Sequence, residues 1–330
     1  MSYKSVLVTQ RGGPEVLQIV ENELRPPKEG EVRIRTLAAA VSLPDVEARY
    51  GRSPFPPKTP FSPGYAVVGT VDAVGAGVTQ TRTGDCVAAL TVYGGYSEVV
   101  YWPEKKLIPV PGVLDPAQVV PLILNYIVAY QIVHRSAKVK AGNKVLIIGA
   151  SGGIGTALLQ LGRVVGLKMY GVASAGKHPI LKEYGATPID YHTQDFAQVI
   201  CHMEPDGLDA VFDGMGGDYL RRGFPLLKRG GVWASYANPR SFSGLLRLLG
   251  RVLWLNLLPD GKAVKLYGTG ANYLNWKPFL DDWAALFELL GEGKINPVIT
   301  AKFPILEAAK ANALLESGEV TGNVVLLAGE

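Results

Sequence analysis

The stretch Lys144-Val-Leu-Ile-Ile-Gly149-Ala-Ser-Gly152-Gly153-Ile-Gly155 can bind an anion without spending a charged side chain. An apolar strand runs into a tight glycine turn and then into a helix, which is how a fold cradles a pyrophosphate. The turn needs unusual dihedrals, the backbone must come close to the phosphates, and the helix must lie tight on the sheet. The helix N-terminus then offers N–H groups and the positive end of its dipole. Ala150, Gly152, Gly153, Ile154 and Gly155 are therefore the first candidate cofactor-binding residues.

The elements that must position this turn are legible around it. Leu158, Leu161 and Val165 keep helical spacing, and Leu167–Val172 supplies a second short strand, completing a βαβ unit. Helices and strands alternate from about Ile123 onward: an apolar segment from Asn125 to Arg135, a helix from His178 to Tyr184, strands at Ala210–Asp213 and Val232–Tyr236. That order predicts a doubly wound parallel sheet of the Rossmann type. The first part of the chain differs, with short alternating strands such as Val32–Thr36 punctuated by Pro26-Pro27, Pro54 to Pro60, Pro63-Gly64 and Gly75-Ala-Gly77. This is barrel-like β texture. After Tyr267-Gly-Thr-Gly-Ala271, a helix from Trp276 to Glu292 and a terminal strand at Val324–Leu327 return to it. The expected fold class is α/β, with a β-rich substrate domain over 1–123 and 268–330 and a Rossmann domain over 124–267.

At 330 residues the chain exceeds the usual ceiling for one hydrophobic core, which agrees with two domains. The net charge of +4 is small for this size, and no block of like charges asks for nucleic acid. Cys86 and Cys201 lie far apart, without the close pairing of a zinc site or a secreted disulfide framework. A reducing, cytoplasmic setting is expected, and the N-terminus reads as a first strand rather than a signal peptide.

NAD sites commonly place an acid roughly 20 residues past the glycines, on the ribose hydroxyls. Here the second strand ends in Val172-Ala-Ser174-Ala-Gly-Lys177-His178, with no acid. Ser174 and Lys177 can donate to a 2′-phosphate that a carboxylate would repel, so the expected cofactor is NADPH.

The string Gly64-x-x-x-x-Gly69-x-Val71-x-x-Val74-Gly75-x-Gly77-Val78, followed by Gly84-Asp85-x-Val87 and Gly95-Tyr-Ser-Glu98, resembles the medium-chain dehydrogenase/reductase superfamily. Within it the chain is similar to the zinc-free quinone oxidoreductase (zeta-crystallin-like) branch. Asn125–Tyr130, Ala173–His178 and Pro188–Thr193 resemble the vesicle amine transport protein homologues in particular. The resemblance implies a GroES-like domain completed by the C-terminus, a Rossmann domain, a cleft between them for nicotinamide and substrate, and a homodimer pairing the edge strands of two Rossmann sheets. It also implies that Ser174, Lys177 and Tyr191 contact the 2′-phosphate; Tyr236 and Asn323 complete the candidate cofactor set.

Zinc-dependent relatives take ligands from Cys-His-x-Asp and Gly-His-Glu segments. The matching positions here are Ser42-Leu-Pro-Asp45 and Gly64-Tyr65-Ala66, so no metal is expected. Without a Lewis acid, conjugate reduction of a quinone or an α,β-unsaturated carbonyl is the expected reaction, because such an acceptor spreads the arriving charge into its own oxygen. The candidate catalytic residues are Ser42, Tyr50, Tyr65 and Asn125: Ser42 stands at a family asparagine, the two tyrosines are phenolic donors, and Asn125 with Tyr126 is a polar neighbour of the nicotinamide region. Glu47 departs from a family pocket tyrosine; Val128 stands at a family threonine near the nicotinamide, so a hydrophobic substrate is expected.

The glycine turn also resembles the short-chain dehydrogenase fingerprint. The Tyr-x-x-x-Lys pair that family needs is matched only by Tyr101–Lys105, which precedes the turn and contains Pro103. Two alternative functions stay open: a redox-silent NADPH-binding or membrane-associated interaction protein, and a trans-acting enoyl reductase. The leucine-rich Leu245–Leu258 segment is too short and too charged to span a bilayer. It is expected to pack on a pocket or partner subunit, with contact to a membrane surface through an amphipathic face as the alternative.

Overall fold

A computed structural model describes residues 1–269 and 276–329. The chain forms two compact units, one of Met1–Leu124, Trp283–Gly291 and Pro297–Glu330, the other of Asn125–Asp282 and Glu292–Asn296. Of the Tyr267–Ala271 turn expected to lead out of the nucleotide domain, Gly270 and Ala271 lie outside the described residues.

In the first unit, β1 (Ser2–Val8) and β2 (Leu17–Glu23) pair as an antiparallel ribbon. They are followed by β3 (Glu31–Val41), β4 (Ala66–Val74), β5 (Cys86–Leu90), β6 (Val99–Pro103) and β7 (Ile108–Pro109). The 11-residue β3 is the backbone of this sheet, pairing antiparallel with β4, with β6 and with the C-terminal strand Asn323–Leu327. The alternation in β3, where Val32, Ile34 and Thr36 are buried between less buried neighbours, is what a sheet with one packed face requires. Val6, Ala39, Val67, Tyr96, Ala308 and Val324 share one core, so the C-terminal segment is built into the N-terminal domain. The resemblance implied that arrangement.

The second unit carries a parallel sheet of β8 (Lys144–Ile148), β9 (Lys168–Ala173), β10 (Thr187–Asp190), β11 (Leu208–Asp213), β12 (Leu227–Ser235) and β13 (Ala263–Leu266). Their order across the sheet is β10-β9-β8-β11-β12-β13, every pair parallel. Both faces are covered, and Val145 to Ile148 are buried without alternation, as a doubly wound sheet demands. At the start of β8 and β9, Glu204 pairs with Lys144 at 2.5 Å and Lys168 at 2.6 Å. Burial pushes its carboxyl up, but the hydrogen bonds from Lys144, Lys168 and Tyr170 prevail and hold it at about 2.

Among the described residues one helical run, Pro116–Ala137, is long and apolar enough by composition to cross a membrane, and most of it is buried inside the protein as core. Directly after Pro121, which has no N–H to give, its ladder widens to π spacing over Leu122–Tyr126. The leucine-rich segment forms the helix Phe242–Asn256, capped by the Ser241 hydroxyl accepting from Gly244 N at 3.1 Å. Leu248, Val252 and Leu255 anchor it to the core of its own sheet.

Candidate functional site

The parallel sheet reverses its winding between β8 and β11, and in an open α/β sheet ligands bind outside the carboxyl ends of the strands at that switch. The glycine turn lies there. Gly149 takes φ +80°, and Gly152 caps the helix Gly153–Val165. No side chain caps that helix, so its first-turn amides are not claimed by a serine or aspartate. Gly155 is required by contact: a Cβ there would sit 2.2 Å from the Gly149 carbonyl oxygen and 2.5 Å from Ala150 C. Ala150 must be small for a similar reason, because its Cβ already faces Gly171 on β9, where a Cβ would come within 3.0 Å of it. The cradle is shaped by backbone approach, as a dinucleotide pyrophosphate needs.

The structure brings most of the other candidate cofactor residues to the same edge. Ser174 and Lys177 follow β9, the neighbour of β8; burial lowers the Lys177 ammonium. Tyr191 follows β10 and is 49% exposed, stacked against the His192 ring. Tyr236 follows β12, half-buried, its ring lying where a Cβ on Gly214 would be; burial pushes its phenol well above the usual range. Asn323 lies in the other unit, where its side-chain amide donates to the Val298 carbonyl at 2.9 Å.

Two acids at this edge escaped the sequence reading. Asp190 ends β10 in register with Ala173 of β9, so an acid does stand beside the end of the second strand. Its carboxylate is turned onto its own loop, accepting from His192 N at 3.1 Å and the Thr193 hydroxyl at 3.0 Å, and the His192 amide leads in holding it below the usual range. Asp213 ends β11 and accepts from Met215 N and Gly216 N, both at 2.9 Å. Burial raises its carboxyl, and those amides shape the loop that brings Met215 against the glycine turn. The signal was present as an acid closing a strand before Gly214-Met-Gly-Gly217.

The candidate catalytic side chains of the first unit divide sharply. The Ser42 hydroxyl donates to Asp45 Oδ2 at 2.5 Å, and Asp45 accepts from Ser42 N at 3.1 Å, a capping box at the start of the helix Leu43–Tyr50. Tyr50 donates to Glu316 at 2.8 Å, and that same carboxylate pairs with the buried Arg49. Both hydroxyls are committed to structure. Tyr65 is different: its hydroxyl has no hydrogen-bond partner among the described residues, and burial, with the Asp45 and Tyr93 charges adding, pushes its phenol up to about 12. It therefore keeps its proton at neutral pH and can donate.

The backbone at Tyr65 is fixed from two sides. Asp45 Oδ1 accepts from Gly64 N at 2.8 Å, while Thr91 N and Val92 N donate to the Tyr65 carbonyl at 2.9 and 3.1 Å. Val92 is held at φ +63°, which a β-branched residue adopts only under constraint. In the second unit, Asn125 is half-buried within the π-helical turn, beside the fully buried Tyr126, and Val128 is buried apolar surface.

A GroES-like N-terminal domain with a Rossmann-like parallel sheet defines a two-domain dehydrogenase class, and comparison with known proteins agrees. The family model for the alcohol dehydrogenase GroES-like domain matches residues 28–112, and that for zinc-binding dehydrogenase matches residues 184–326. The chain is 32% identical to the human synaptic vesicle membrane protein VAT-1 homolog over 342 residues, covering 99% of this chain and 86% of that protein. It is 29% identical to a 2-haloacrylate reductase from Burkholderia sp, covering 98% of each. Escherichia coli quinone oxidoreductase, in a crystal structure complexed with NADPH, superposes with a TM-score of 0.88 at 26% identity, covering 98% of this chain and 99% of that one. The chain belongs to the medium-chain dehydrogenase/reductase superfamily of oxidoreductases, among its quinone oxidoreductase and VAT-1 homologues.

Proposed function

We propose that this chain is an NADPH-dependent reductase of quinones or α,β-unsaturated carbonyls that works without zinc. The observation that carries the reading is the uncapped helix N-terminus at the switch point, with a glycine cradle that a single Cβ at Gly155 would fill. Ala150 and Gly152 to Gly155 would hold the pyrophosphate, and Ser174, Lys177 and Tyr191 the 2′-phosphate. NADPH over NADH is supported by the absence of an acid at the end of β9 and by Asp190 being spent on its own loop. The NADPH complex of the quinone oxidoreductase relative supports the same choice.

When bound, NADPH supplies a hydride to an enone β-carbon or a quinone, leaving NADP⁺. The protein must then meet the negative charge that develops on the acceptor's oxygen. Tyr65 is the assigned donor: its proton stays on at neutral pH, its hydroxyl is not spent elsewhere among the described residues, and its backbone is held rigid. A phenol this weakly acidic stabilises the oxygen by hydrogen bonding, and water delivers the proton that completes the reduction. The zinc-free reading is supported by Ser42 and Tyr65 at the ligand positions and by the absence, among the described residues, of any group of three His, Cys, Asp or Glu side chains able to hold a metal. Activated alkenes and quinones as acceptors are supported by the named activities of the relatives.

Tyr65→Phe is the test. It is expected to lower kcat for 9,10-phenanthrenequinone or an alkenal by about 100-fold with NADPH affinity unchanged, the loss typical of one oxyanion donor. Unchanged kcat removes Tyr65 from the mechanism. Tight NADPH binding without turnover on either acceptor class favours the redox-silent reading instead.

A further inference from the structure

Of the four methionines in the chain, Met215 alone is both exposed and placed on the glycine turn. A Cβ on Gly149 would lie 3.7 Å from the Met215 sulfur and 3.8 Å from its Cγ, so the thioether rests against the turn while the residue stays 61% exposed. The loop that carries it is anchored on several sides. Asp213 accepts from Met215 N and Gly216 N at 2.9 Å, Gly214 N donates to the Ile148 carbonyl of β8 at 3.3 Å, and the Tyr236 ring fills the space over Gly214. The sulfur is therefore held at the carboxyl ends of β8 and β11. Met169 is 3% exposed and packs on Gly162 inside the domain. Met203 is 43% exposed, but it adjoins Glu204 at the opposite, amino end of β8 and β9, and Met1 lies in the other unit.

A thioether is apolar, flexible and polarisable, which suits it to packing along a dinucleotide, and a peroxide oxidises it where it is exposed. The sulfur lone pair attacks one peroxide oxygen, an S–O bond forms as the O–O bond breaks, and the departing oxygen leaves as water. Sulfur is oxidised and the peroxide is reduced. The sulfoxide puts a strong dipole with a partly negative oxygen in place of apolar surface, beside backbone amides that are arranged for phosphate oxygens. That oxygen opposes an incoming anion and competes for the same amides. We propose that hydrogen peroxide converts Met215 to its sulfoxide and that this modification weakens NADPH binding at the glycine turn. The inference rests on the turn being the dinucleotide site. A methionine sulfoxide reductase reverses the change, the oxygen leaving as water while two thiols become a disulfide.

The test exposes the full chain to hydrogen peroxide, removes the peroxide with catalase, and adds dithiothreitol, which returns any sulfenate at Cys86 or Cys201 to the thiol and leaves methionine sulfoxide in place. Peptide mass spectrometry locates the sulfoxide, and calorimetric titration reads NADPH affinity. Oxidation is expected at Met215 and Met203 but not at Met169, with the NADPH Kd raised roughly ten-fold, equivalent to losing part of a methionine's apolar contact. Saturating NADP⁺ during the peroxide step slows oxidation of Met215 and leaves that of Met203 unchanged. Met215→Leu has the same NADPH affinity before and after peroxide, and methionine sulfoxide reductase restores the affinity of the oxidised wild type. The proposal is overturned if protein carrying the Met215 sulfoxide binds NADPH as untreated protein does, if NADP⁺ gives Met215 no protection, or if Met215→Leu loses affinity on oxidation as wild type does. Failure of untreated protein to bind NADPH is a separate result, which overturns the dinucleotide site and this proposal with it.

Discussion

Among single residues, Lys177 and Asp190 show how cofactor choice can be written in adjacent side chains. Lys177 follows β9 and Asp190 ends the neighbouring β10, where the proposed NADPH site would put its ribose, but Asp190 is engaged by His192 N and the Thr193 hydroxyl, and burial disfavours the Lys177 charge. An anion beside Lys177 would relieve that cost. Lys177→Ala is therefore expected to weaken NADPH binding by about 10- to 100-fold, the loss of one charge-assisted contact, while NADH binding changes little. Calorimetric titration of both dinucleotides measures this, and equal losses would contradict it. The position of Ser174 and Lys177 just after β9 was legible in the sequence, because they follow a strand at a fixed distance from the glycines. The Ser42–Asp45 capping box spans only three residues and was open to a local reading, whereas the commitment of Tyr50 to Glu316 was not, since that partner depends on which distant segments meet. The Tyr50–Glu316 contact joins residues 266 apart in the sequence.

The elements around the two sites are built from close approach and buried charge. At Gly155 a methyl group would collide with the Gly149 carbonyl, which cannot yield because it closes the turn. Gly155→Ala is expected to cost about 1–3 kcal/mol of stability through overpacking and to impair NADPH binding together with it. Differential scanning calorimetry and titration check both, and a variant with wild-type melting and affinity would contradict the cradle. In the other unit, Asp45 binds Ser42, Gly64 and Tyr96 while buried, and burial raises its carboxyl to about 6. Since the folded pKa lies above the unfolded one, near 3.8, the folded state holds the extra proton between these values. Stability from this group therefore rises as pH falls from about 6 toward 4, by about 3 kcal/mol in the limit. Asp45→Asn lacks that response, so the melting advantage of wild type over the variant is expected to widen between pH 7 and pH 4.5. A flat or narrowing difference would contradict it.

Across the molecule, the two-part organisation was legible because each part keeps its own period: β3 alternates buried and less buried positions, whereas β8 is apolar throughout. The short β13, which carries Lys265 and only four residues, gave no such pattern and was not read as a strand. Whether the second apolar face of Phe242–Asn256 is covered was left open, since a leucine-rich helix has the same composition whether that face is packed or wet. What the whole chain is proposed to do is move a hydride from NADPH to an electron-poor acceptor with no metal to assist. The most direct measurement is steady-state oxidation of NADPH by 9,10-phenanthrenequinone, using protein dialysed exhaustively against a zinc chelator. Sustained turnover, equal to that of undialysed protein and at least ten-fold better with NADPH than with NADH by kcat/KM, is the expected result, one such charged contact being worth about that factor. Loss of turnover on chelation that zinc restores, or tight NADPH binding with no turnover at all, would contradict it.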